Sequence, residues 1–159
     1  QKICKKLFIK FGTIKGDLVI HKNKIFIIEF APRLSGGYFS SKMIPQSTNI
    51  NLLNIAQKLH CKDRLNFKKL KIKKEYFVSQ RYFFPGSGRV KKIDKISFKN
   101  KDDIVYFEMN IKKGEILKKI TNHTDRVGQV ITKNKNKKKT INFAKEIASK
   151  AEASILISK

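Results

Sequence analysis

Two acidic residues in the first quarter of the chain have the types and spacing of a chemical site. Asp17 and Glu29 are 12 positions apart (29 − 17), and the short polar pair Lys22-Asn23 lies between them. If the flanking segments pair as a hairpin, the two carboxylates lie on adjacent strands and converge on one face. Two carboxylates alone repel each other, whereas Mg²⁺ prefers carboxylate and phosphate oxygens as ligands. The spacing is therefore compatible with a magnesium–phosphate site.

Arg33 and a glycine-containing loop follow the second carboxylate. Arg33 stands four positions after Glu29, next to Pro32, where its guanidinium can clamp a transferring phosphoryl group. The loop Ser35-Gly36-Gly37 can bring backbone N–H groups near an anion. An acid at each end of a hairpin and an Arg before Gly-Gly also occur in ordinary turns. Spacing alone leaves both interpretations open.

The elements that position these residues are predicted from periodicity and turn residues. Residues 17–21 and 24–30 predict two strands of a hairpin, and the nearly all-apolar second strand predicts a buried central position. Residues 1–10 predict a helix with Ile3, Cys4, Leu7 and Phe8 on its apolar face.

The segment after the hairpin predicts a loop over residues 31–46 and a helix over residues 50–60. Thr48 or Asn49 is the expected cap of that helix, with Leu52, Leu53, Ala56 and Leu59 inward. The basic stretch 62–74 is the expected boundary.

The rest of the chain predicts a β-rich unit that ends in a helix and a strand. Strands are expected at residues 76–84, 89–93, 104–109, 115–120 and 127–132. Residues 133–139 predict an exposed basic loop, and Thr140 is the expected cap of a helix with Ile141, Ala144, Ile147, Ala148 and Ala151 on its buried side. Residues 153–158 predict the last strand.

The order of these motifs resembles the C-terminal part of ATP-grasp enzymes. The segment IIEFAPRLSGGYFS resembles their last metal-binding strand and loop, which usually read Glu-x-Asn-x-Arg, and an earlier acidic ligand stands about where Asp17 does. Residues 1–16 and 48–52 resemble the neighbouring helices and turn. The motifs GRV, KGE and DRVGQVI resemble the small C-terminal domain of the amino-acid-ligase and carbamoyl-phosphate-synthase-like branches. The resemblance spans nearly the whole chain.

The fold implied by this resemblance is α+β. Residues 1–65 would form the C-terminal part of the ATP-grasp catalytic domain, an antiparallel hairpin plus helices. Residues 66–159 would form a small β-rich C-terminal domain.

The activity implied is an ATP- and Mg²⁺-dependent ligation of a carboxylate to an amine through an acyl phosphate. Asp17 and Glu29 would hold the metal, and Glu29 would also contact the nucleotide cofactor. Arg33 would be catalytic, and Arg33, Ser35, Gly36 and Gly37 would bind the substrate.

Two departures from the family pattern qualify this expectation. Ala31 replaces the usual Asn, so its side chain cannot coordinate a metal. The nucleotide-gripping lysines and glycine-rich loop have no counterpart, and the chain begins at Gln1 without an initiator Met. We therefore expect a piece of a longer enzyme, inactive without an N-terminal nucleotide-binding half. That half and small-molecule substrates are the expected partners, and a homodimer is left open.

The net charge of +25 has two explanations. Most of the excess is Lys, whereas specific phosphate recognition favours Arg, and the accompanying Ile, Asn and Phe are typical of an AT-rich genome. Besides the ligase, two alternatives for the function of the chain stay open: a small Lys-rich module that binds nucleic acid non-specifically, and a non-catalytic ATP-grasp remnant.

No apolar run reaches the length of a membrane span, and Cys4 and Cys61 fit no disulfide or zinc pattern. A cytoplasmic protein is expected.

Overall fold

The computed structural model of the chain describes residues 2–61, 65–66 and 70–158. These residues divide into two compact units, Gln1–Lys73 and Lys74–Lys159. Of the expected boundary stretch, residues 62–64 and 67–69 lie outside the described residues. The division of the catalytic and C-terminal domains at residue 65 stays a prediction.

The first unit combines one hairpin with short helices. Its elements are α1 (Lys2–Lys6), β1 (Lys15–His21), β2 (Lys24–Ala31), a π-helical turn (Phe39–Met43), α2 (Ile44–Thr48) and α3 (Leu52–His60).

The first helix is shorter than residues 1–10, because Phe8 adopts a left-handed backbone (φ 54°) that ends it. The expected apolar face is wrong in part, since Leu7 and Phe8 are exposed.

The predicted hairpin is confirmed, whereas the predicted burial of its second strand is wrong. The two strands pair antiparallel, and Lys22 and Asn23 have φ angles of 45° and 61°, which are typical of a type I′ hairpin turn. Every residue of β2 except Ala31 is exposed. Among the described residues this sheet has two strands, so the apolar sequence of β2 has no neighbouring strand beyond β1.

The segment predicted as a loop at 31–46 is partly helical. The π-helical turn and α2 occupy its second half.

The cap of α3 is Asn51 rather than Thr48 or Asn49. The Asn51 side chain accepts a hydrogen bond from the Asn54 backbone N–H at 3.0 Å, which satisfies one free donor of the first helical turn. The expected inward side chain Leu53 is half exposed.

The second unit contains two antiparallel three-stranded sheets and one long helix. The strands are β3 (Phe77–Tyr82), β4 (Gly88–Ile93), β5 (Ile104–Met109), β6 (Ile116–Leu117), β7 (Gly128–Asn134) and β8 (Ile155–Ser158), and the helix is α4 (Lys137–Ala153). The sheet orders are β3-β7-β5 and β6-β4-β8. The strand predicted at 115–120 shrinks to two residues, and the others lie close to their expected positions.

The core of the second unit lies where α4 packs on β3 and β7. Phe83, Val130, Ile147 and Ala151 are at most 1% exposed, and Val90 of the other sheet belongs to the same cluster. The predicted buried face of α4 is confirmed at Ala144, Ile147, Ala148 and Ala151, and Ile141 is half-buried.

The N-terminus of α4 differs from the expected one. Asn136, not Thr140, is its cap, and the Asn136 side chain accepts a hydrogen bond from the Lys139 backbone N–H at 3.0 Å. Thr140 lies inside the helix, where its hydroxyl donates to the Asn136 carbonyl at 2.9 Å. The loop expected at 133–139 is wrong, because β7 continues to Asn134 and α4 begins at Lys137.

In the part of the chain that the structure describes, the helices are too short or too polar to cross a bilayer.

We predict that Asn136→Ala lowers the free energy of unfolding by about 1 kcal/mol, because a helix N-cap side chain contributes about that much. Urea denaturation followed by circular dichroism measures the change. Asn142→Ala is the matched control, since Asn142 is exposed in the interior of the same helix and Ala favours helix. An equal loss in both variants would show that Asn136 does not act as a cap.

Candidate functional site

The register of the hairpin places the two acidic residues directly opposite each other. Asp17 pairs with Glu29, and the register shifts at the next step so that Leu18 pairs with Ile27. One extra residue of β2, Ile28, therefore separates the two pairs. An extra residue of this kind reverses the alternation of faces along a strand.

The shift gives the hairpin two different faces. Asp17 and Glu29 lie on one, which we call the acidic face. The other, the apolar face, carries Leu18, Ile20, Ile25, Ile27 and Phe30. Without the extra residue, Glu29 and Ile27 would share a face, since side chains alternate with period two. Ile28 thus places Glu29 and Ile27 on opposite faces, whereas Val19 and Phe26 lie on the acidic face further along the strands.

A single ammonium group lies between the two carboxylates. The Lys15 Nζ is 2.6 Å from Asp17 Oδ2 and 3.4 Å from Glu29 Oε1. Lys15 reaches them because residues two apart on a strand share a face. The hydrogen bond to Asp17, followed by a weaker one to Glu29, raises the pKa of Lys15 above its ordinary value. The two carboxylates therefore converge on one positive charge.

The donor set fits a divalent cation with an incomplete protein shell. Two hard carboxylate oxygens reach a common point, and both side chains are about half exposed, which leaves room for water or phosphate oxygens. Within the described ranges, no three His, Cys, Asp or Glu side chains gather in a way that could hold a metal. Ala31, the pairing partner of Lys15, adds no side-chain donor. The metal role of Asp17 and Glu29 stays a prediction.

Arg33 lies just beyond the acidic face, in a turn that its own backbone closes. Its N–H donates to the Ala31 carbonyl at 2.8 Å, and its guanidinium Nη1 donates to the Leu34 carbonyl at 3.0 Å. The side chain is exposed, so a change of rotamer can redirect it without disrupting a packed core. Its catalytic role stays a prediction.

The glycine loop has a tighter backbone than its sequence indicates. Gly37 and Tyr38 have φ angles of 61° and 66°, and the Phe39 N–H donates to the Gly36 carbonyl at 3.2 Å, which defines a type I′ turn. A left-handed Tyr is uncommon and costs about 1–3 kcal/mol, and such strain concentrates at functional sites. The substrate-binding roles of Ser35, Gly36 and Gly37 stay predictions.

Two features of this site escaped the sequence reasoning. Lys15 is one, although its position two residues before Asp17 on a strand was a usable signal. The other is the π-helical turn that follows Tyr38, where the Tyr38 carbonyl accepts hydrogen bonds from the N–H groups of both Lys42 and Met43. We find no sequence signal for this turn, since Gly-Gly before an aromatic residue does not specify it.

The apolar face of the hairpin is open to solvent. Its residues are 37–74% exposed. Isolated monomers rarely expose a continuous group of large apolar side chains, and a two-stranded hairpin alone is marginally stable in water. We therefore expect this face to be an interaction surface.

Comparison with solved structures identifies the fold. A crystal structure of phosphoribosylglycinamide synthetase from Anaerococcus prevotii matches 99% of this chain with a TM-score of 0.76 and 22% identity. A crystal structure of L-amino acid ligase from Bacillus licheniformis matches 98% with a TM-score of 0.78 and 18% identity. The chain has the fold of the C-terminal part of an ATP-grasp ligase. The predicted α+β class and the resemblance to these ligases are confirmed.

A family model supports the same assignment for the second unit. Residues 81–155 match the model described as L-amino acid ligase C-terminal domain 2. This range begins in β3 and ends at the start of β8, so it does not include the acidic face. A search of curated proteins found no match.

The chain is shorter than the two proteins whose structures it matches. The chain spans 39% of the synthetase chain and 38% of the L-amino acid ligase chain. The larger part of an ATP-grasp ligase thus has no counterpart in these 159 residues.

We predict that Ile20→Ala changes the free energy of unfolding of the chain by less than about 1 kcal/mol, because strand propensity alone spans about that range. Ile20 is 74% exposed, so little burial is lost. Ile147→Ala is the comparison, since Ile147 is 1% exposed and emptying a buried Ile site costs about 2–5 kcal/mol. Chemical denaturation measures both. A large loss for Ile20→Ala would mean that the apolar face is covered in the chain itself.

Proposed function

We propose that this chain is the C-terminal part of an ATP- and Mg²⁺-dependent ligase that joins a carboxylate to an amine through an acyl phosphate. The observation that carries the proposal is the direct pairing of Asp17 with Glu29, both in contact with one cationic group. The fold supports it, because 98–99% of the chain matches structures of a phosphoribosylglycinamide synthetase and an L-amino acid ligase.

Asp17 and Glu29 would hold the magnesium ion on the acidic face. Magnesium bound there would neutralise phosphate charge during phosphoryl transfer. The hairpin preorganises the two carboxylates, since their Cα positions are paired across the strands and need no rearrangement to reach one cation. Their side chains are about half exposed, so nucleotide oxygens could complete the coordination of a cation held there.

Arg33 would stabilise the charge on the transferred phosphoryl group. It lies two residues beyond the end of β2, and its guanidinium donates a hydrogen bond to the neighbouring Leu34 carbonyl. A guanidinium offers several donors in a fixed fork, so it can bind phosphate oxygens with two of them. The type I′ turn at residues 36–39 would shape the carboxylate pocket.

The partner of this chain would be the nucleotide-binding part of the same enzyme. Two observations support this: the chain spans only 38–39% of the ligases that it matches, and the apolar face of the hairpin is open. The free thiols Cys4 and Cys61 agree with a reducing compartment, and we propose the cytoplasm.

The chain alone is predicted to bind ATP weakly and to show no ligase turnover, because the sequence lacks the lysines and glycine-rich loop that grip the nucleotide. Isothermal titration calorimetry with Mg²⁺ and ATP measures the affinity. A micromolar dissociation constant for the 159 residues would place the nucleotide site inside this chain. It would contradict the proposal that a separate part of the enzyme binds the nucleotide.

In the enzyme completed with its nucleotide-binding part, we predict that Arg33→Ala lowers kcat about a hundredfold. Removing one preorganised charge-stabilising donor costs about 3 kcal/mol of transition-state stabilisation. Glu29→Gln should slow phosphoryl transfer more than Asp17→Asn, because Glu29 is proposed to contact both metal and nucleotide. ADP release measured with a coupled assay checks all three.

Lys58→Ala is the control for these variants. Lys58 is exposed on α3, and it carries no proposed role in the reaction. It should leave ADP release unchanged. Wild-type rates in all the acidic and Arg33 variants would remove the chemical basis of the proposed function.

A further inference from the structure

Lys15 occupies the position that a metal ion would need. Its ammonium lies within 2.6 Å of one carboxylate and 3.4 Å of the other, and its side chain is only 18% exposed, although both carboxylates are about half exposed. Its pairing partner is Ala31, whose methyl group cannot coordinate a cation. The acidic face therefore carries its own counter-ion.

We propose that Lys15 is an internal competitor of the divalent cation at Asp17 and Glu29. The ammonium holds the two carboxylates together while no metal is present, and it must leave them when a metal binds. This inference rests on the proposed function, because it takes the carboxylate pair as the metal site. Its consequence is a weak site for the bare ion, which fills when the metal arrives together with phosphate oxygens.

The competition follows from charge and geometry. One ammonium can contact both carboxylates but cannot share their oxygens with a divalent cation at the same point, since two positive groups at that distance repel each other. Metal binding therefore breaks the two contacts of Lys15. Because exposed ion pairs each contribute little, the penalty on metal affinity is modest, about three- to tenfold.

A purely structural Lys15 predicts the opposite outcome. If the ammonium served only to gather two repelling carboxylates, removing it would let them separate and would weaken metal binding or leave it unchanged. The sign of the change in affinity therefore distinguishes the two roles.

Manganese binding to the full 159-residue chain tests the proposal without any enzyme assay. Free Mn²⁺ is measured by electron paramagnetic resonance for the wild type and for Lys15→Met and Lys15→Gln, with circular dichroism to confirm that each variant is folded. We expect both substitutions to tighten Mn²⁺ binding about three- to tenfold. Lys15→Arg, which keeps the charge, should stay as weak as the wild type.

Lys24→Met is the matched control. Lys24 lies on the acidic face, paired with His21 at the hairpin end, about 13 Å along the strand from the Asp17–Glu29 pair. Its removal changes the net charge by the same amount, so it reports the long-range charge effect, which should be much smaller than the effect of Lys15→Met.

Chemical labelling of amines gives an independent readout on the wild type. Mn²⁺ should increase the acetylation rate of Lys15, because the displaced ammonium becomes accessible, and should leave Lys24 unchanged. Mass spectrometry of the digested chain quantifies both residues. Unchanged Lys15 labelling at saturating Mn²⁺ would overturn the displacement.

Asp17→Asn and Glu29→Gln separate this inference from the proposed metal site. If these variants lose Mn²⁺ binding while Lys15→Met and Lys15→Gln bind like the wild type or more weakly, the metal site stands and the role of Lys15 is overturned. If neither the wild type nor any variant binds Mn²⁺, or if the carboxylate variants bind as well as the wild type, both proposals fail.

Discussion

The direct pairing of Asp17 with Glu29 is the constraint on which the candidate site depends. Backbone hydrogen bonds of the hairpin fix this pairing, so the carboxylates stay together without a packed core beneath them. Their repulsion requires a positive charge nearby, and Lys15 supplies it within the same strand. Each feature of the acidic face follows from this pairing and the charge that balances it.

The extra residue Ile28 links the acidic face to the apolar one. By reversing the alternation of β2, it moves Glu29 off the face that carries Leu18, Ile20, Ile25 and Ile27, while Val19 and Phe26 stay on the face of the carboxylates. The apolar side is exposed, whereas the second unit has a closed core around Phe83, Val130 and Ile147. The two units thus differ in how they gain stability. The second has a closed core of its own, whereas the hairpin of the first keeps its large apolar side chains exposed.

Sequence patterns predicted those parts of the fold that depend on short-range periodicity. The strand at residues 104–109 and the buried face of α4 follow from alternation and from helical spacing, and both lie where expected. The burial of β2 was predicted wrongly. An apolar run in the sequence favours a buried strand, but it does not show whether other residues of the same chain pack on that strand. The left-handed Tyr38 was missed because tertiary context, not local preference, holds a residue in that conformation.

The sequence predicts the acids of the candidate site, and it indicates their counter-ion only in part. The sequence showed Asp17 and Glu29 as two carboxylates separated by one turn, and formation of the predicted hairpin brings them together. Strand alternation puts Lys15 on the face of Asp17, but its contact with Glu29 as well depends on the register of the hairpin. With 37 Lys and Arg residues in the chain, total charge conveys little about any one of them. What sets Lys15 apart is position, because strand alternation gives it two carboxylates at once.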